Sequence, residues 1–551
     1  MKRSSNDKIL NPIITIIYLL ALAAVTYFHE PWFDEIQAYL IARDASIMDI
    51  IFKIPHFEAH PPLWHLYLVP FAKSGMPFEL GLKAASIIIN SLAIGLFIYK
   101  APFKKIIRYT IPFTYYFFYL YGVVARCYSI ALLGFVLMAI SYKSRNEKPI
   151  FYVLSMLLLC LSSIYGLVFA GALCIVWVWE MVSESGLSKF LKSLLRDKRT
   201  LLLLGLLAAA VALICLIFPD KSAIATYYPK TRSILSRLFY MLILAPTEAV
   251  FSHHFTGEYH VFVGKMPMYI IIVGSITYAI YALAVYIVAK SKGRLKEMVV
   301  PYVIFSLFAG TMYFSEHHIP MIAYFTLFIA WICFEDTAPL QMPSWLTKGS
   351  ADRQRAESTV KRALGAFAAV CIIVPLYWSV CASVNDIRYP YDSKREIAEF
   401  IQEHNLQDAY IMAAFRTLAK EIDPDTGLAL SEYTCINIQR EATVNAYFGE
   451  NIIYSLNDGG VGYVQHFMAD DEYIQETIAD WRQKGAPDVL IGDVDLEYIF
   501  NGQVKMSDYT PVLEAHRQIF VKNDSVRLWA AVTVYVRNDL LDEYDLQAVE
   551  E

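Results

Sequence analysis

Two stretches place acids and a histidine beside prolines soon after a long apolar run. EPWFDEIQAYL, residues 30–40, carries Asp34 and Glu35, and FEAHPPLWHLYL, residues 57–68, carries Glu58 and His60. Ionisable groups at a membrane boundary persist where protein or water lines a cavity around them. On an outer loop a solvated carboxylate costs nothing, so an isolated Asp-Glu pair would carry little weight. Here the pair follows an apolar run with almost no linker and is fixed between Pro31-Trp32 and a helical stretch. A second acid–His–Pro-Pro cluster then follows it. A carboxylate held against an apolar surface can act as a general base on a hydroxyl or amine nucleophile.

The elements that must position these residues are mostly apolar helices. The chain has 551 residues, is 57% hydrophobic and 15% aromatic, and has a mean hydropathy of +0.41. This is too apolar for a soluble chain, and several runs reach the roughly 20 residues that cross a bilayer. The expected spans are 10–28, 79–99, 107–122, 127–142, 149–163, 166–182, 200–218, 267–289, 297–314, 319–335 and 363–383, about eleven transmembrane helices. The first of them is longer than a signal-peptide core and is expected to be an anchor. Basic clusters, from MKR at the start to KGSADRQRAESTVKR at residues 348–362, fall on alternate loops. This puts the N-terminus in the cytoplasm and residues 29–78, 219–266 and 315–318 outside. The stretches 36–53 and 60–76 are expected as helices on the outer membrane surface, the prolines suiting a helix start. The alternative is one long kinked span over 61–99.

Charge divides the chain in two. Residues 1–384 carry 34 basic and 21 acidic side chains, and residues 385–551 carry 13 and 31. The expectation is a membrane domain, 1–384, and an extracytoplasmic α/β domain, 385–551. An acidic tail gives no reason to expect nucleic acid. In the tail, SKREIAEFIQEHNL has helical periodicity, whereas DAYIMAA, PDVLIGD and VRLWAAVTVYVRN look like strands. The segment 336–362 is expected as a cytoplasmic loop with a surface helix. The eight cysteines show no paired spacing and are expected as small core residues.

On the outer side, GVVARCYSIALL supplies Arg126 and Tyr128. Arg126 is either an interfacial residue extending its head to water or a phosphate ligand, since guanidinium forks match phosphate oxygens. Lys221, Lys230, Arg232 and Arg237 are weaker candidates. The histidines of FSHHFTGEYH and SEHHIP, including His317 and His318, could contact phosphate. With Glu58 and His60 they could instead hold a divalent cation such as zinc or manganese. No HxH or HExxH spacing supports a metal, and adjacent histidines point apart on a helix. The aromatic run YTIPFTYYFFYLYG is expected as lipid-facing belt and packing.

A first span leading into a loop with Asp-Glu, then E-x-H-P-P-L-W at the start of a surface helix, resembles the GT-C superfamily of membrane glycosyltransferases. The protein mannosyltransferase and aminoarabinose transferase branch is the most similar. The resemblance covers the first 100 residues closely and the layout loosely. It implies Asp34 as catalytic base with Glu35 beside it, His60 and its prolines shaping the surface helix, and Glu58 as a competing base. It also implies a polyprenyl-phosphate-linked sugar donor, an acceptor that is a glycan, lipid or protein, and work at the outer face of the cytoplasmic membrane in building the cell envelope. No P-loop or G-x-G-x-x-G after a strand is present, in keeping with a donor that is no nucleotide. A transporter or flippase of lipid-linked sugars, or a non-catalytic cell-envelope assembly protein, are the alternatives. Half-to-half repeats that would favour transport are absent from the sequence.

Overall fold

A computed structural model describes residues 5–219, 232–251, 268–343, 353–413, 415–422, 429–437, 439–454, 463, 467–468, 472–492, 494, 496–517 and 529–549. The chain forms two compact units. One comprises residues 1–26, 86–215 and 232–383, and the other residues 27–85, 216–231 and 384–551.

The first unit is helical. Among the described residues of the whole chain, seven helices are long and apolar enough to cross a membrane. They are Asp7–Phe28, Phe78–Lys100, Ile164–Ser185, Lys198–Leu216, Ile234–Phe251, Met268–Ser291 and Gln354–Arg388. The helices Tyr128–Tyr142, Pro149–Ser162, Leu295–Thr311 and Pro320–Phe334 match expected spans but are shorter. Helix Pro149–Ser162 packs on both Tyr128–Tyr142 and Ile164–Ser185, which in turn packs on Leu295–Thr311. At that seam Phe169 stacks on Phe305 and Phe325, with centroids 4.3 and 4.7 Å away.

Two expectations for this unit are corrected. The span 107–122 is not one helix. It divides into Lys105–Thr110, a 3-10 turn Ile111–Phe113, Tyr115–Phe118 and a π-type turn Tyr119–Val123. Pro112 lacks the N–H that would continue the ladder. Leu120 and Tyr121 leave helical geometry, Tyr121 with φ of 101°. Carbonyls freed by these breaks are met from elsewhere in the unit: Tyr18 Oη donates to Phe117 O (3.0 Å) and Tyr324 Oη to Tyr116 O (3.0 Å). Its aromatics are therefore not a lipid-facing belt; Tyr115 through Tyr121 are buried. The second correction is helix Ile234–Phe251, which lies inside the loop expected over 219–266. Arg237 and Glu248 dilute its hydropathy and hide it from a composition window.

The second unit joins the first loop to the C-terminal region. Helix Phe33–Asp44 packs on Leu63–Ala72 and on the turn Thr443–Tyr447. Glu35 through Ala42 are all buried, so this helix is covered by protein instead of lying on a membrane surface with one wet face. Helices Leu63–Ala72 and Phe78–Lys100 are separate, which rules out one kinked span. Helix Lys394–Glu403 buries Lys394, Ile397, Ala398 and Ile401, the helical spacing the sequence shows. A four-stranded mixed sheet follows, in the order Ile411–Met412, Val489–Ile491, Trp529–Arg537, Tyr509–Arg517. Its first pair is parallel and the others antiparallel. Val532, Val534 and Val536 alternate inward with a period of two. A second, antiparallel sheet of Phe415–Ile422, Ala429–Asn437 and Phe467–Met468 was not foreseen. The helix expected from 363 begins at Arg353 and runs 36 residues to Arg388.

Candidate functional site

In the first loop, Pro31 and an extended Trp32 (φ −88°, ψ 173°) set the start of helix Phe33–Asp44. Asp34 is its second residue and Glu35 its third, where negative charge suits the positive end of a helix. The two differ in surroundings. Asp34 is half-buried, whereas Glu35 is 1% exposed. Glu35 Oε2 accepts from the Trp32 backbone N–H at 3.0 Å and from His29 Nε2 at 3.0 Å. The other ring nitrogen of His29, Nδ1, is 2.9 Å from Asp386 Oδ2. Carboxylates only accept, so an imidazole with one on each nitrogen donates from both and is an imidazolium. Burial opposes that charge, and Asp386 and Glu35 more than reverse the effect, raising the His29 pKa to about 10.

The second cluster is set by a backbone turn. Helix Ile54–Glu58 ends at Ala59 in the left-handed region (φ 53°, ψ 29°), and Pro61-Pro62 then start Leu63–Ala72. Glu58 closes the first of these helices, and its Oε2 lies 3.2 Å from His65 Nε2. His60 is half-buried in the turn. The structure thus pairs Glu58 with His65, five residues beyond the histidine that the sequence singled out.

Arg126, Tyr128, His317 and His318 belong to the helical unit. Arg126 stands two residues before helix Tyr128–Tyr142, and its carbonyl accepts from the Ser129 N–H and hydroxyl. Tyr128 is fully buried and meets the His318 ring edge-on at 5.8 Å. The strained Tyr121 packs on Tyr128 (4.5 Å) and donates its hydroxyl to the His317 carbonyl. His318 Nδ1 accepts the Ser315 backbone N–H at 2.9 Å. The neutral ring therefore carries its proton on Nε2 and presents that nitrogen as a donor. The structure gathers Tyr128, His317 and His318 around Ser315 and Tyr165, with Arg126 at the same helix start. Arg232 is buried and Arg237 lies on helix Ile234–Phe251. Lys221, Lys230, His253, His254 and His260 lie outside the described residues. Among the described residues no three His, Cys, Asp or Glu side chains converge as metal ligands. The seven described cysteines are free thiols.

Sequence reasoning missed His29, His65, Asp386 and Arg395. Two signals were there: His29-Glu30 sits at the mouth of the first span, and Asp386 follows an apolar run just as Asp34 does.

No protein-family model and no curated protein matches the chain. Among solved structures it is similar to the crystal structure of ArnT from Cupriavidus metallidurans bound to undecaprenyl phosphate. The sequences are 11% identical, the match covers 97% of this chain and 98% of that one, and the TM-score is 0.47.

Proposed function

We propose that the chain is an integral membrane glycosyltransferase of GT-C type. It transfers a sugar from a polyprenyl-phosphate-linked donor to a glycan, lipid or protein acceptor at the outer face of the cytoplasmic membrane. Residues beyond 388 are extracytoplasmic and the N-terminus is cytoplasmic. Asp34 is the general base. It takes the proton from the acceptor hydroxyl or amine as that atom attacks the anomeric carbon. The bond from that carbon to the phosphate oxygen breaks, and its electron pair stays on the carrier phosphate. Arg126, Tyr128, His317 and His318 bind the carrier phosphate, the arginine through its fork and His318 through Nε2–H.

The observation that carries this reading is where the first loop puts Asp34. It stands half-exposed on the first turn of an otherwise buried helix, next to Glu35, whose carboxylate takes the His29 Nε2–H and the Trp32 N–H and so fixes that turn. A base needs both reach and a fixed support, and Asp34 has them.

The test is transfer by membranes supplied with a panel of polyprenyl-phosphate sugars. Positioned proton transfer contributes about 10²–10⁴-fold, so Asp34→Asn loses transfer by that order at unchanged protein level. Arg126→Lys, which replaces a fork by a point charge, weakens donor use. Full transfer by Asp34→Asn with none by Glu58→Gln would move the base to Glu58. Full transfer by both would make transport of lipid-linked sugars the leading function.

A further inference from the structure

We infer that His29 and Asp386 are positioning residues for Asp34: they act through Glu35, so that the C-terminal region holds the candidate base in place. The inference rests on the reading of Asp34 as base and adds what the C-terminal region does for it.

His29, Glu35 and Asp386 are 1%, 1% and 2% exposed, and the two contacts of 2.9 and 3.0 Å run through one ring. That ring is the cation between two buried anions. Asp386 Oδ1 makes no hydrogen bond among the described residues, so the charge on His29 is its main compensation. Take the imidazolium away and two carboxylates remain buried without their shared cation, which drives them apart or forces one to bind a proton. The Tyr391 ring meets His29 edge-on at 4.8 Å and restricts its rotation. Glu35 passes the constraint to the backbone, because the oxygen that holds His29 also takes the Trp32 N–H that starts the helix. Asp34 lies within that first turn and cannot shift unless the turn does. A second tie flanks the first: Arg395 donates to Glu30 (3.0 Å) and reaches the His29 carbonyl (3.4 Å). The groups facing His29 are thus Glu35, Asp386 and Tyr391, with Arg395 on its backbone. The raised pKa of His29 accords with a ring that stays charged through neutral pH.

The experiment uses the full-length protein purified in detergent, with His29→Gln, Asp386→Asn, Glu35→Gln and the His29→Gln/Glu35→Gln pair. Transfer from the polyprenyl-phosphate sugar panel is measured per folded molecule, and amide hydrogen exchange is followed over residues 30–40. A small displacement of a reacting group costs up to about 100-fold. The expected result is a 10- to 100-fold fall in kcat with donor KM within about twofold. Exchange over residues 30–40 rises at least tenfold. Because the residues act as a unit, the pair is no worse than either single variant. A merely structural role would lower the melting temperature and leave kcat per folded molecule and donor KM alone. Unchanged exchange over residues 30–40 in both His29→Gln and Asp386→Asn overturns the inference, whether or not any donor in the panel is used. Raised exchange with unchanged kcat overturns it as well. If Asp34→Asn is inactive while His29→Gln and Asp386→Asn match the parent, positioning fails and the base reading stands. If Asp34→Asn is fully active, the base reading fails and takes this inference with it.

Discussion

Replacing Arg395 with methionine removes a cation that serves two carboxylates at once. Its Nε and Nη2 donate to Glu79 Oε1 and Oε2, both at 2.8 Å, and Nη1 donates to Glu30 Oε1 at 3.0 Å. The two acids are not equally dependent on it. Glu79 keeps Lys83, 2.5 Å away, whereas Glu30 has no second cation within 4 Å among the described residues, and its side chain is only 15% exposed. A hydrogen bond to a charged group contributes about 1.5–3 kcal/mol, and stripping one partner from a buried pair costs about 3–5. Arg395 is about a quarter exposed, so screening trims the figure to about 2–3 kcal/mol. Glu30→Gln in the Arg395→Met background should recover about half of the loss, and Glu79→Gln much less. The deficit also depends on pH in a definite direction. Burial raises the Glu30 carboxyl to about 7, even though Arg395 pulls it down. A carboxyl that is more basic folded than unfolded favours folding below its unfolded pKa and loses that benefit as pH rises through the folded value. Without Arg395 the folded value climbs further, so the variant is weakest above pH 7 and nearest the parent at pH 5. Thermal unfolding in detergent at pH 5, 6.5 and 8 reads all of this. A deficit equal at pH 5 and 8, or rescue by Glu79→Gln as strong as by Glu30→Gln, would refute the reasoning.

Other outcomes follow from the same geometry. His29 is more basic folded than unfolded, so its contribution is complete below about pH 6.5 and drains away as pH rises through about 10. Unfolding free energy should fall across that window by up to about 1.4 kcal/mol per pH unit, seen as a falling melting temperature, and the slope should flatten in Asp386→Asn. A Cβ at Gly166 would lie 2.2 Å from the Leu159 carbonyl oxygen and 2.6 Å from Ser162 Oγ. Gly166→Ala should therefore cost about 3 kcal/mol, against little or none for Gly171→Ala on the same helix, where nothing lies within 4 Å. Helix Arg353–Arg388 has 36 residues, about 54 Å of rise, more than a bilayer core. Reporters fused at Ser350 and after Arg388 should land on opposite sides; a shared side would remove this helix from the membrane.

Much of this was legible in the residues, for reasons that differ from place to place. Long apolar runs announce helices because a helix that can cross hydrocarbon must be apolar on every face, and Phe78–Lys100 and Met268–Ser291 lie within two residues of expectation. The valine alternation in residues 532–536 announced its strand in the same way. Helix Ile234–Phe251 escaped because Arg237 and Glu248 lower its hydropathy while the fold buries Glu248 against Tyr116 (3.0 Å). The break at Tyr119–Val123 escaped because nothing local requires it; the backbone strain at Tyr121 is held by packing on Tyr128. In the first loop the acids could be seen, but not their standing. Whether Glu35 or Asp34 is sealed depends on Asp386, 351 positions after Glu35, and no window around residue 34 contains that information.

The broken segment between Lys105 and Val123 also constrains how the chain is made. An unbroken helix satisfies its own backbone and can rest in lipid alone, but one with freed carbonyls cannot. Here the Phe117 carbonyl is met by Tyr18, already synthesised, whereas the Tyr116 carbonyl waits for the hydroxyl of Tyr324, 208 residues further on. At the 5–20 residues per second of translation, that delay is about 10–40 seconds. During it the segment must stay in the water of the insertion machinery, bind a chaperone, or borrow hydrogen bonds from helices it later leaves. Biogenesis of this protein thus has a late step, in which helix Pro320–Phe334 arrives and closes a gap left open since the third hydrophobic stretch emerged. A chain truncated before residue 320 should be recognised as unfinished in the membrane, however well its earlier helices have inserted.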